Sequence, residues 1–444
     1  MQMALEEGAA ASANASGGGA THVQHMCNTC ATHVQHMYVL VFGLQHLRVQ
    51  VGKQGKITMR LCLCMIVKDE AHVIQEALKC VLPLISYWVI CDTGSFDGTI
   101  DVVNNFFNLG DGSGSAKVPG QVKQHPWKDF GTNRSLALHE AWMLRKTHAC
   151  DYIMMFDADD VIVGELTLPD VMDADAYTLQ FGSQCFTYTR TSIFRCSEEL
   201  QWVYKGVLHE YPSCATKEDG ITTESIGGAY YVDSRRLGSR NLDKNKYLND
   251  AHILEKAIES ETDNAMRIRY TFYTAQSYYD ANLHDHALSW FRKRIDDGRE
   301  KGVGWQEEVF YSALRIATIM ESRPEVFSEQ MLVCAYMQAF QEDAERAEPL
   351  YFLSKYYRTR DRFKEGYAWG KLALGIPLPR HVKLFMLKDV YDYKVKDEVA
   401  ICAYWTGRKA ECKMLCEELL KRNDLTCDDR RRIKRNLEFS EAEK

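Results

Sequence analysis

The sequence predicts a two-part chain, a parallel α/β domain followed by an all-α repeat region. Short apolar runs alternate with amphipathic helical stretches from Arg60 onward, the pattern of βα units with right-handed crossovers. One of those runs, Tyr152–Phe156, stops on three carboxylates, Asp157, Asp159 and Asp160. Five apolar residues are too few for an independent helix and suit a strand buried on both faces of a sheet. From Tyr247 the periodicity is entirely helical. At 444 residues the chain exceeds what one ordinary core supports.

Taken in order, Leu61–Val67 reads as a buried strand and Ala71–Leu82 as an apolar-periodic helix. Tyr87–Cys91 is a second strand, closed by a tight turn from Asp92 to Thr99 and followed by a helix through Phe107. Gly94 permits an unusual backbone angle there, and Ser95 or Asp97 can cap the helix, which leaves the Asp92 carboxylate to accept from a ligand. Leu109–Gly120 is a Gly/Ser-rich loop, Gln121–His125 a third strand and Gly131–Lys146 a helix. Ligands collect at the carboxyl ends of strands in open α/β sheets. Carboxylates crowded at such an end repel one another unless a cation or hydrogen-bond donors compensate them. Hard oxygen ligands there favour Mg²⁺ or Mn²⁺ beside a phosphate. The same acidic letters also fit a turn that caps the following segment.

Composition narrows the function classes. The net charge of −7 gives no basic character for nucleic acid or an anionic membrane. No run of about 18 apolar residues exists to span a bilayer. The 15 cysteines lie scattered in apolar and helical contexts, which fits reduced thiols and a cytoplasmic location. Residues 1–58 stand apart as a low-complexity leader with an Ala/Gly/Ser tract. Within it, Ala20–Met26 recurs as Ala31–Met37 around Cys27 and Cys30. A metal knuckle of Cys27, Cys30, His33 and His36 would crowd its ligands without a scaffold, so a tandem duplication is the preferred reading.

Four stretches together resemble the family 2 glycosyltransferases, which have a GT-A fold and a D-x-D motif. They are Leu63–Glu70, Val89–Thr99, Trp127–Arg134 and Phe156–Asp160, and they occur in the family's order. The resemblance implies a nucleotide-sugar donor, most often a UDP-sugar, and a glycan or protein acceptor. It implies that Asp92 recognises the nucleobase, that Asp157 faces ribose or metal, and that Asp159 is the principal ligand of a Mn²⁺ or Mg²⁺ ion. Arg134 is placed to neutralise the leaving phosphates, with a surface salt bridge as the other reading. Gly206–Glu210 resembles a Gly-x-x-His-Glu element, in which His209 completes the metal site as a neutral imidazole. Glu210 is then the general base, with Asp160 as second choice. The outcome expected of the family is inversion.

Ala176–Phe181 and Phe186–Phe194 read as strands of a mixed sheet extension, and Trp202 as a core residue more than a sugar platform. Arg235–Lys246 is dense in cations, and Gly238–Arg240 within it suits an element that closes over a diphosphate, with Arg240 and Lys246 as donor ligands. A solvated charged face explains the same run. Beyond it, Ala275, Tyr278, Ala287 and Phe291 fall at tetratricopeptide spacings, partly repeated by Leu353, Ser354, Tyr357 and Ala373. The resulting division is 59–240 for the GT-A domain and 241–444 for a degenerate tetratricopeptide-like solenoid, which offers a concave binding surface or a homodimer interface. Two rivals remain: a non-catalytic helical-repeat scaffold with a degenerate GT-A domain, and a nucleotidyltransferase. The latter ranks last, because Lys68-Asp69-Glu70 lacks the glycines of a triphosphate loop.

Overall fold

The computed structural model describes residues 59–109, 118–148, 150–183, 186–217, 219–301, 304–380 and 384–442. The Cys27/Cys30 knuckle and most of the Gly/Ser-rich loop lie outside them. The described residues divide into two compact units between Ser277 and Tyr278, inside the helix Asn264–Asp280. The helix Lys246–Ser260, beyond the sequence boundary at 240, groups with the sheet.

The first unit is built on one mixed sheet. Strands β1 (Leu61–Val67), β2 (Tyr87–Asp92), β3 (Gly120–Gln124) and β4 (Tyr152–Met155) are mutually parallel, in the spatial order β3-β2-β1-β4. The helices Ile74–Val81, Thr99–Leu109 and Phe130–Met143 make the crossovers. Beyond β4 come β5 (Asp160–Gly164), β6 (Ala176–Ser183) and β7 (Phe186–Arg195). A hairpin of β8 (Trp202–Lys205) and β9 (Tyr211–Cys214) precedes β10 (Thr223–Ser225) and β11 (Tyr230–Ser234). β7 runs antiparallel to β4 and to β6, and β11 antiparallel to β5, so the extension is mixed as the sequence reading expects.

Period-2 alternation explains why the central strands are apolar throughout. Leu61, Leu63 and Met65 of β1 face a core with Ile74, Leu78 and Val103, while Cys62 and Cys64 face a second core with Leu138, Ala141 and Trp202. Trp202 is a core residue here, its indole N–H donating to the Arg195 carbonyl at 3.0 Å. No disulfide links the described cysteines.

The second unit consists of consecutive helices from His284–Lys301 to Cys427–Glu441, which pack on their sequence neighbours. Fully buried Arg346 and Glu348 pair inside it at 2.7 Å. The basic stretch near the chain end lies in the helix Cys427–Glu441, where Arg432 pairs with Asp397 and Asp429. No helix among the described residues is long and apolar enough to cross a membrane.

The helix Phe130–Met143 is the element that positions the candidate site. Asp129 caps it, accepting from the Thr132 amide at 2.7 Å. Gly131 allows the backbone of the β8–β9 turn to press against it: a Cβ there would lie 2.2 Å from the Gly206 carbonyl oxygen and 3.1 Å from that of Tyr204. Gly131→Ala is therefore expected to destabilise the unit by about 1–3 kcal/mol, the usual cost of overpacking. Thermal unfolding checks this, and an unchanged Tm would refute so close an approach.

Candidate functional site

The acidic strand end resolves into three environments. Asp157 accepts from Arg134 Nη2 at 2.6 Å and from Arg190 Nη2 at 3.1 Å. Burial alone would raise its carboxyl, but the two guanidinium groups outweigh burial and hold it well below the usual carboxylate range. Asp160, 2% exposed, opens β5 and accepts from the Ser234 hydroxyl at 2.7 Å. Its other oxygen is buried without a partner. Burial and the neighbouring Asp157 charge push Asp160 up to about 7. Asp159 turns another way: its Oδ2 accepts from the Gly238 amide at 3.0 Å, and its carbonyl accepts from Arg235 Nε at 3.0 Å.

Three sequence expectations need correction here. Arg134 forms a buried rather than a surface pair: it is 6% exposed and bonded to both Asp157 and Glu210, the latter at 2.8 Å, while its Nη1 is buried without a partner. Asp92 is not left for a ligand. It is 2% exposed and its oxygens accept from the Gly94 amide at 3.1 Å and the Ser95 amide at 3.2 Å. Asp160 is too deeply buried to meet an acceptor. In the turn after β2, Asp97 is the one of the two cap candidates that bonds the helix start, accepting from the Thr99 amide at 3.0 Å, whereas Ser95 accepts from the Asp69 amide at 2.9 Å.

Glu70 is the residue the sequence reading passed over. It lies just past β1, so the rule that marked Asp157 and Asp159, carboxylates at strand ends, also applies to it. Its Oε1 accepts from the Ser239 amide at 3.3 Å, and its Oε2 is buried without a partner. A Cβ on Gly238 would lie 3.0 Å and 3.3 Å from the two Glu70 oxygens and 3.3 Å from Asp159 Oδ2. Burial and the Asp159 charge push Glu70 up to about 7. The segment 235–239 thus straps the two carboxylates. Ser239 Oγ also donates to the Asp69 carbonyl, His72 Nε2 to the Leu237 carbonyl at 2.9 Å, and Arg235 pairs with Glu76. Arg190, the second partner of Asp157, sits within an antiparallel strand and had no local sequence signal.

His209 adopts a left-handed backbone with φ of 52°, and its ring stacks on Tyr273 with centroids 3.9 Å apart. Packing around the ring, then Arg269, Arg240 and Lys246, push it down to about 3. Both causes favour the neutral imidazole. Glu210 is tied to Arg134. No group of three or more His, Cys, Asp and Glu side chains among the described residues is gathered so as to hold a metal ion by itself.

Beside the strap lies a cleft of about 670 Å³ at the carboxyl ends of β1 and β2. Val67, Glu70, Thr93, Trp127, Arg240 and Lys246 are among the residues that line it, whereas Asp92, Asp157 and Asp159 do not. Arg240 pairs with Asp250 and lies over the Phe130 ring at 4.7 Å, and Lys246 Nζ donates to Asn241 at 2.5 Å.

No protein-family model matches the chain, and no curated protein matches it. Among solved structures, MamA is similar at 11% identity and a TM-score of 0.29, covering 45% of this chain and 91% of its own. A thermophilic TPR protein of Thermus thermophilus is similar at 12% identity and a TM-score of 0.29, covering 44% and 91%. BtubC from P. vanneervenii is similar at 14% identity and a TM-score of 0.32, covering 44% and 76%.

The raised Asp160 carboxyl gives a pH prediction for stability. A folded value of about 7 above an ordinary value of 3.8 means that the folded state binds the proton more tightly. Its stabilising contribution is complete below about pH 4 and is lost as pH rises through 7. Asp160→Asn should therefore gain Tm over the parent increasingly from pH 4 to 7, with a constant gain above. Denaturation in EDTA across that range checks it, and a gain largest at low pH would reverse the assignment.

Proposed function

We propose that the first unit is a metal-dependent glycosyltransferase of the family 2, GT-A type. It would transfer a sugar from a nucleoside diphosphate donor, a UDP-sugar first, to a glycan or protein acceptor. The observation that carries this reading is the pair of carboxylates, Glu70 and Asp159, converging around Gly238 at the carboxyl edge of parallel strands beside a cleft lined by Arg240 and Lys246. The orphaned buried Glu70 Oε2 is the kind of atom a cation satisfies. Asp159 and Glu70, with oxygens of the donor completing the shell, would hold Mn²⁺ or Mg²⁺, which when bound supplies Lewis-acid stabilisation of charge on the diphosphate; His209, expected from the sequence as a further ligand, is not gathered with them.

The chain's own residues have distinct tasks in this scheme. Arg240 and Lys246 attract and orient the diphosphate. Glu210, its orientation fixed by Arg134, takes the proton of the acceptor hydroxyl as that oxygen bonds to the anomeric carbon. The bond from that carbon to the diphosphate breaks at the same time, through an oxocarbenium-like centre, and the nucleoside diphosphate leaves. Inversion at carbon follows from the single displacement.

A second reading, the scaffold, is favoured by one observation: both oxygens of Asp92 and of Asp157 already have partners within the protein. The deciding assay is release of nucleoside diphosphate from a panel of UDP- and GDP-sugars with Mn²⁺ and with EDTA. Metal-dependent release from one donor is expected, lowered at least about 100-fold by Asp159→Ala, the order lost with one electrostatic group. Silence across the panel, with no thermal stabilisation by Mn²⁺ plus any nucleoside diphosphate, would favour the scaffold.

A further inference from the structure

We infer that Trp127 is the stacking platform for the donor's nucleobase and so a determinant of donor affinity. This rests on the glycosyltransferase reading above. Trp127 is 44% exposed and forms part of the cleft wall. A large aromatic ring left in solvent at a cleft is an informative departure from burial.

The ring is held in place. It meets Phe130 edge to face, with centroids 4.7 Å apart, and Arg240 covers the Phe130 ring. The turn that carries it is fixed from below by Asn133, which is 1% exposed. Its side chain accepts from the Lys128 amide at 2.9 Å and donates to the Pro126 carbonyl at 3.2 Å, so one buried amide bonds the backbone on both sides of Trp127. Asp129, next in the chain after Lys128, is tied down as the helix cap. Such a platform binds a flat ring without first having to be ordered.

Strand order decides which ring. Asp159 follows β4, whereas Trp127 follows β3, and the order β3-β2-β1-β4 places three strand spacings between those ends. At about 4.8 Å per spacing this is roughly 14 Å along the carboxyl edge. A donor whose diphosphate lies by Asp159 and Glu70 has its reacting sugar at that end. Its base lies at the other, beyond the ribose. The cleft wall at β1 and β2, with Val67 and Thr93, lies between. Every base offers a π-face, so Trp127 supplies affinity by stacking, while hydrogen bonds to the base edge choose among bases.

The test is calorimetric binding of UDP, GDP and inorganic pyrophosphate to the full chain with Mn²⁺, for the parent protein, Trp127→Phe, Trp127→Ala and Trp127→Leu. Expected is an affinity loss of at least about tenfold for the tighter nucleotide in Trp127→Ala and Trp127→Leu, as for other base–aromatic stacks. Trp127→Phe should stay within a few-fold, and pyrophosphate binding should not change. Trp127→Leu keeps apolar bulk without a π-face, so it separates stacking from space-filling. Nucleotide binding by the alanine and leucine variants equal to the parent's overturns this inference alone. So does an equal loss of pyrophosphate. A parent protein that binds neither nucleotide overturns the glycosyltransferase reading and this inference with it.

Discussion

The first unit depends on one ion network centred on a buried arginine. Arg134 is held between Asp157 and Glu210, and Asp157 is held between Arg134 and Arg190. These four side chains come from the helix after β3, the end of β4, the strand β7 and the turn before β9, elements far apart in sequence. Such a network contributes little net stability, because desolvating the charges offsets much of their attraction. Removing a carboxylate is costly, since it leaves the buried Arg134 charge short of a partner. The network therefore fixes arrangement more than it adds stability. It sets where β4 ends relative to the β8–β9 hairpin, and the direction in which Asp159 emerges.

That direction gives adjacent aspartates different chemistry. Asp157 is surrounded by cations and is a structural anion. Asp160 turns into the interior beside Ser234, and burial pushes its carboxyl up. Asp159, between them, reaches the carboxyl edge, where Glu70 comes from the other side. The strap of residues 235–239 compensates both carboxylates with backbone amides, as a cation would with charge. The cleft adjoining this pair is walled by side chains of both charges, Arg240 and Lys246 beside Asp243 and Asp250, and by the aromatic rings of Trp127 and Phe130.

The helical unit follows a simpler rule. Its consecutive helices bury small and apolar residues such as Ala347, Leu350, Val399 and Ala403 in a shared core. Gly366 and Gly370 leave room where Ser354 and Cys402 approach. Small residues at close crossings are what the sequence periodicity shows, so this region was recognisable even where the repeat frame is degenerate.

The sequence by itself determined the sequence-local features. Runs such as Leu61–Val67 and Tyr152–Met155 read as buried strands, and their alternation with helices indicated parallel crossovers, as the fold has them. The clustering of carboxylates at a strand end was equally legible, because it needs only strand direction. Which carboxylate reaches the carboxyl edge was not legible, because that depends on partners distant in the chain. Arg190 is 33 residues from Asp157, and Gly238 is 79 from Asp159. Asp92 was misread for a nearer reason: its own turn supplies amides that a ligand would otherwise supply. Hydrophobic periodicity is encoded locally and survives in the letters. Charge compensation is decided only when the fold brings an arginine or a backbone amide to one oxygen rather than another.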